Sequence, residues 1–238
     1  TDIAPYNVLN WRERGAIYRE VLPFVNRAAD FAVLSYERAI FIEPNNPINH
    51  VGLARVQLTR AEAEEAMAAS SDASMQKNSA ARVQEAMLRT QASLDRAIEL
   101  KPDYIPAQYY RAVVLDRMGD LDGALASMEL VRDARPLDSN VAYSMGVLAL
   151  KARDLPLAQR EFERVLSLLP TYANARWFLA SIFKTYGETE SALTQVRAIA
   201  DFNPNDARVA ARIKRLEAGV LERDLINVTV GEVSDFDF

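Results

Sequence analysis

Few residues in this sequence have the types and spacing that chemistry needs. His50 is the only histidine and cysteine is absent. No histidine or thiolate cluster can therefore hold a catalytic metal, and neither a cysteine nucleophile nor a disulfide framework exists. A lone histidine on the helix face that meets its neighbour reads as a satisfied, partly buried side chain. Glu62, Glu64 and Glu65 offer oxygen ligands. Hard cations need oxygens converging from several directions, so three carboxylates on one helix read as a solvated face. No glycine-rich phosphate loop and no nucleophile elbow is present. Asn227-Val228-Thr229 fits the glycosylation sequon, a pattern too short to mean much alone. The expectation is a chain with no catalytic residue, no metal site and no cofactor.

The elements that remain must carry a different kind of function. Half of the 238 residues are apolar, 26% are charged and only 8% are aromatic, a globular and helix-favouring composition. A net charge of −5 gives no support for nucleic-acid binding. No run approaches 18 apolar residues, so this segment is not expected to insert into a membrane. The start, Thr1-Asp2-Ile3-Ala4-Pro5, has neither an initiator Met nor a signal pattern, and Thr1 is read as a boundary within a longer protein.

Internal periodicity gives the architecture. Pro102, Pro136, Pro170 and Pro204 are 34 residues apart in each step, and each closes a helical apolar pattern. Small residues run in phase: Ala112, Gly146 and Ala180, then Ala124, Ala158 and Ala192. Larger apolar residues fill the other core places (Met128, Phe162 and Val196; Val131, Val165 and Ile199). Gly119-Asp120, Arg153-Asp154 and Gly187-Glu188 fall where a tight turn must join two helices. The repeat is a helix–turn–helix of 34 residues.

These residues resemble the tetratricopeptide repeat family, whose small–small–proline pattern is met three times over 105–204. Trp11, Arg14-Gly15, Tyr18, Ala32, Tyr36, Ala39 and Pro44 resemble a further repeat with about five extra residues in its turn, and Leu53-Ala54, Leu94, Ala97 and Pro102 another. The resemblance implies an all-α, right-handed solenoid of about five helical hairpins over residues 1–224. Its repeats span about 8–46, 47–104, 105–138, 139–172 and 173–206, with a capping helix over 207–224 built on Val209, Ile213, Leu216 and Val220.

Pro44 to Pro102 is 58 residues, 24 more than one repeat. Residues 47–69 and 75–100 can both be helical, with Ser70–Ser74 as the turn, which lengthens the second hairpin over about 58–90. At 1.5 Å per residue each arm would be roughly 35 Å long against roughly 20 Å for an ordinary repeat helix. Its inward residues are expected to be Ala61, Ala66, Ala69, Ala80 and Ala86 with Met67, Met75 and Met87 as gap-fillers, and its acidic first arm to face Lys77, Arg82 and Arg89.

In a stacked solenoid the first helix of each repeat lines the concave surface. On that helix Tyr109, Tyr143 and Trp177 recur at the repeat spacing, in register with Arg12 and Val51. One turn on lies Arg55, then Arg117, Lys151 and Lys184; one turn earlier Asn140 matches Asn174. The expected groove thus combines aromatic area with amide and basic groups suited to an extended protein or peptide segment. The alternative for the aromatic ladder is packing between repeats. Arg12 and Ala16 do not reproduce the Lys–Asn pair of the carboxylate clamp known in some repeats of the family, which disfavours a chaperone co-factor role.

Two further expectations concern the ends. Residues 225–238 hold three acidic residues, no basic one, and Phe236 and Phe238; self-binding of 226–238 in a basic groove follows from that complementarity. The run Pro5–Trp11, with Tyr36-Glu37-Arg38-Ala39 and Pro44-Asn45-Asn46-Pro47, is similar to the C-terminal repeat region of multi-pass bacterial membrane proteins, some related to O-antigen ligases and polymerases. That likeness, over residues 5–60, implies an accessory or substrate-docking domain of a larger membrane-embedded enzyme, tethered to a bacterial membrane. Otherwise the expected reading is a free-standing cytoplasmic scaffold.

Overall fold

A computed structural model describes residues 6–22, 24–25, 27–69 and 73–219. Among them are eleven helices and no strand: α1 (Val8–Glu20), α2 (Ala28–Ile42), α3 (Pro47–Ala69), α4 (Ala73–Leu100), α5 (Ile105–Met118), α6 (Leu121–Ala134), α7 (Ser139–Lys151), α8 (Leu155–Leu168), α9 (Ala173–Thr185), α10 (Thr189–Phe202) and α11 (Ala207–Glu217). The chain divides into two compact units, residues 1–130 and 131–238, although the 34-residue register runs through the division.

In the first unit α1 pairs with α2 and α3 with α4, while α5 packs on both α3 and α4. Tyr36 of α2 is held between two glycines. A Cβ on Gly15 of α1 would stand 2.6 Å from the ring, and one on Gly52 of α3 would press on it from the other side. Val51, Ala54, Leu58 and Ala61 of α3 meet Ala86, Met87, Leu94 and Ala97 of α4 and Ala107 and Val114 of α5 in one core. Full burial of a side chain such as Leu94 is worth about 1.5–3 kcal/mol.

The second hairpin is long in both arms, with 23 residues in α3 and 28 in α4. Ala61, Ala86 and Met87 are buried inside it, but Ala66, Ala69 and Ala80 are exposed, which corrects the expected inner face. The cause is helical phase: Ala66 is about 140° around the helix from Ala61, whereas Ala68 returns to its face. Arg82 reaches Glu64 across the arms at 3.1 Å, while Arg89 bonds Glu85 on its own helix at 2.6 Å. The side chains of Met67, Met75 and Lys77 lie outside the described residues.

In the second unit α7 pairs with α8 and α9 with α10, and α11 packs on α10. Gly146 lets α7 approach Phe162, whose ring would stand 2.8 Å from any Cβ there. Phe162 stacks on Phe178 at 5.2 Å and is fully buried. The turns repeat in detail. Gly119, Arg153 and Gly187 all take left-handed backbone, with φ of 84°, 60° and 80°. The next residue donates its N–H back to the fifth preceding carbonyl: Asp120 to Leu115, Asp154 to Ala149, Glu188 to Phe183. Those bonds satisfy carbonyls that each helix end would otherwise leave open.

Asp206 caps α11 by accepting from the N–H groups of Arg208 and Val209. Val209 and Leu216 face the core, and Arg208, Lys214 and Arg215 are exposed. The capping helix is shorter than expected, ending at Glu217 with Gly219 at φ 65°. Val220 and the acidic tail over 225–238 lie outside the described residues.

Candidate functional site

The expected groove residues of the first unit are taken up in contacts within the chain. Arg12 donates to Asn49 Oδ1 at 2.6 Å and to Glu43 Oε2 at 2.9 Å. Asn49 in turn donates to the carbonyls of Ala39 and Glu43, so the network ties α1 to the α2–α3 turn. The guanidinium of Arg55 lies 5.4 Å from the centre of the Tyr110 ring. Tyr109 meets that same ring edge-on at 5.4 Å. Arg117 binds two carboxylates of α3, Glu62 at 2.8 Å and Glu65 at 3.2 Å. The acidic face of the long arm is therefore a clamp onto α5. His50 is buried and donates from Nε2 to the Pro44 carbonyl at 2.8 Å.

In the second unit the first helices of successive hairpins are α7 and α9, and α11 continues the series. Tyr143 lies in an aromatic cluster, with ring centres of Tyr172 at 5.1 Å, Phe162 at 5.9 Å and Phe178 at 6.3 Å. Burial raises its phenol well above the ordinary value of 10, with Tyr172 adding to the shift and Asn174 opposing it. The Tyr143 hydroxyl and Asn174 Oδ1 are both buried without a well-formed hydrogen bond.

Trp177 is 7% exposed and belongs to a core cluster with Val209 and Leu216 of α11. Arg212 of α11 is fully buried over it, 4.1 Å from the ring centre, and donates to the Trp177 carbonyl at 3.0 Å and to Ser181 Oγ at 2.8 Å. The expectation that Trp177 is presented to a ligand is thereby corrected. The ring is the platform on which the capping helix sits.

What the inner helices offer to solvent is polar and basic. Asn140 is exposed at the first turn of α7, and Asn174 is half-buried at the equivalent place in α9. Lys151 closes α7, and Lys184 near the end of α9 donates to Thr189 Oγ1 at 3.4 Å. The register extends further than the sequence reading took it. Arg208 stands 34 residues after Asn174, and Arg215 stands 34 after Ser181; both are exposed on α11. The same spacing that marks the groove would have found them. Neither α7 nor α9 contains an aspartate or glutamate. Asp138 and Asp206 are engaged as helix N-caps, and Asp206 also pairs with Arg208 at 2.9 Å.

Among the described residues no group of three or more His, Cys, Asp or Glu is placed to hold a metal ion. No described helix is long and apolar enough to cross a membrane. A model of the tetratricopeptide repeat family matches residues 149–216. No curated protein matches the sequence. Solved structures do. YrrB, a tetratricopeptide-repeat protein described as having an unusual peptide-binding site, is 15% identical with a TM-score of 0.64, covering 88% of this chain and 93% of its own. MamA from Desulfovibrio magneticus RS-1 is 15% identical with a TM-score of 0.59, covering 89% and 96%. PilW, a type IV pilus biogenesis factor, is 17% identical with a TM-score of 0.64, covering 88% and 84%. Identities this low carry the fold, and these matches do not carry the likeness to O-antigen ligases. The tetratricopeptide repeat is thus matched over 149–216, and the helical solenoid fold of such repeats is shared across most of the chain.

Proposed function

We propose that the chain is a non-catalytic scaffold that holds an extended segment of a partner protein along the inner face of α7, α9 and α11. The observation that carries this is the division of labour on those helices. Their large apolar side chains are used in the core, while Asn140, the half-buried Asn174 and Arg208 recur at the repeat spacing and Arg215 is exposed two turns after Arg208. Amide side chains suit the donors and acceptors of an extended backbone, and the flanking cations suit acidic side chains. YrrB, similar in fold, is described as having a peptide-binding site, which agrees with such a use. No feature of the described residues favours a docking domain of a membrane enzyme.

The test is selection of peptides from a displayed library on the full chain, followed by affinity measurements with Asn140→Ala/Lys184→Glu. Both positions lie outside the core clusters, so the variant should keep the wild-type circular dichroism and lose at least tenfold in affinity. Equal binding by the folded variant removes this face as the site.

A further inference from the structure

α2 differs from the second helices of the other hairpins on the side it turns to solvent. Tyr36 of α2 fits against Gly15 as Phe162 of α8 fits against Gly146, which fixes the register between hairpins. In that register Leu34 and Phe41 stand where α4 carries Ala92 and Glu99, α6 Ala126 and Asp133, α8 Arg160 and Ser167, and α10 Thr194 and Asp201. All of these residues are exposed. Only in α2 are both large and apolar, with Leu34 58% and Phe41 71% exposed. Asp30, Ser35, Glu37 and Arg38 are the only residues of α2 that are not apolar. A helix apolar on every side is one that packs on every side. Ala32, Tyr36 and Ala39 are buried within the chain, while Leu34 and Phe41 are not.

The residues between them say what fits there. Leu34 and Phe41 are two helical turns apart and form one seam. Glu37 and Arg38 lie between them along the axis, on opposite flanks of the seam and about 50° to either side of it. Arg38 stacks over the Phe41 ring at 4.8 Å, and among the described residues neither Arg38 nor Glu37 is held in an ion pair. This pattern is self-complementary in one orientation. When two copies of α2 lie parallel about a two-fold axis, Leu34 meets the partner's Leu34 and Phe41 the partner's Phe41. The flanks then exchange, so Glu37 of each copy faces the partner's Arg38. In the antiparallel arrangement each flank meets its own copy, which sets Glu37 against Glu37 and Arg38 against Arg38 in mutual repulsion. Charge thus selects both the occupant and its direction.

We infer that the outward face of α2 is a dimer interface, closed by α2 of a second copy of the chain running parallel to it about a two-fold axis. The inference is independent of the scaffold reading, since α7, α9 and α11 contribute no residue to it. One pair of helices about 22 Å long is small beside an interface of standard size. The dimer is therefore a weak one that forms as concentration rises.

Sedimentation equilibrium of the full chain across the micromolar range tests this. Wild type should pass from monomer to dimer. Leu34→Arg/Phe41→Ser, which gives α2 the residues that α8 carries, should stay monomeric with unchanged circular dichroism, because both positions are exposed. Glu37→Arg should weaken association at least tenfold, and Glu37→Arg/Arg38→Glu should restore it, since exchanging both charges keeps the pair. The chain has no cysteine, so Leu34→Cys supplies a single thiol that should cross-link to its own copy under mild oxidation. A wild type that is monomeric throughout overturns the inference, as does undiminished dimerisation of Leu34→Arg/Phe41→Ser. A charge exchange that fails to restore association removes the pairing of Glu37 with the partner's Arg38. If Leu34→Cys links only to copies carrying Phe41→Cys, the helices run antiparallel and the proposed interface falls.

Discussion

The guanidinium of Arg212 stands 4.1 Å from the centre of the Trp177 ring and donates to the carbonyl of that same residue at 3.0 Å. One side chain thus grips both the face of the ring and its backbone, with Ser181 Oγ as a third point of attachment. A planar, delocalised cation suits such a stack better than an ammonium does. Through this contact α11, only 11 residues long, closes the repeat array.

Removing the grip should loosen the cap. Arg212→Ala is expected to destabilise the chain by about 2–4 kcal/mol, because a buried stack and two hydrogen bonds are lost together. Arg212→Lys should recover only part of this. Denaturant unfolding measures the loss. In a Trp11→Phe background, the emission of Trp177 should shift to the red as the ring becomes wetter. An unshifted spectrum in Arg212→Ala would show that α11 holds its place by Val209 and Leu216 alone.

Tyr143 separates a packing ring from a binding ring. Tyr143→Ala should cost about 2–4 kcal/mol, since it opens a gap between Phe162, Tyr172 and Phe178. Tyr143→Phe should stay within about 0.5 kcal/mol of wild type near neutral pH, since it removes a buried hydroxyl without a well-formed partner. Burial raises the phenol above 10, so the folded chain keeps this proton more firmly than the unfolded chain does. The resulting stability is fully present below about pH 10 and declines as the pH rises beyond it. Tyr143→Phe should therefore lose less stability than wild type between about pH 9 and 11. Parallel curves would mean the phenol is not held in this way.

Arg153 occupies the one turn of its series where a side chain sits in left-handed backbone; Gly119 and Gly187 hold the equivalent places. The backbone bond that follows it, from Asp154 to Ala149, is the same as in the sister turns. Strain from the Cβ in this region is about 1–2 kcal/mol, against which glycine loses more freedom on folding. Arg153→Gly should stabilise the chain by about 0.5–1 kcal/mol, read as a higher midpoint in urea. A lower midpoint would show that the exposed Arg153 side chain contributes more than its backbone strain costs.

These turns also show what was legible in the sequence. Spacing alone placed Gly119-Asp120, Arg153-Asp154 and Gly187-Glu188 between helices, because proline, glycine and small residues act through local backbone geometry. The role of Trp177 was not legible. Its place in the register is equally that of a groove residue and of a packing residue, and the choice depends on Arg212, a residue 35 positions later that no local pattern marks. Arg208 and Arg215 were legible and lie simply one repeat beyond the last rung considered. The inner face of the long hairpin failed for a further reason. Alanine is compatible with either side of a helix, so composition could not fix the phase that separates the buried Ala61 from the exposed Ala66.

Tyr36 offers the most local test of how the first unit is closed. Its ring is 5% exposed and fills the space that Gly15 and Gly52 leave on either side. A methyl group at Gly52 would collide with the ring, and the ring cannot retreat because Gly15 already lies against it. Helix propensity alone would favour alanine by about 1 kcal/mol at either glycine. The collision opposes that preference, and overpacking of this kind costs about 1–3 kcal/mol. Gly52→Ala should therefore be destabilising by urea unfolding despite the better helix former. In a Tyr36→Leu background, where the ring is gone, the same substitution should become neutral or stabilising. If Gly52→Ala stabilises the chain with Tyr36 in place, the ring has room to move and the three helices are not locked through it.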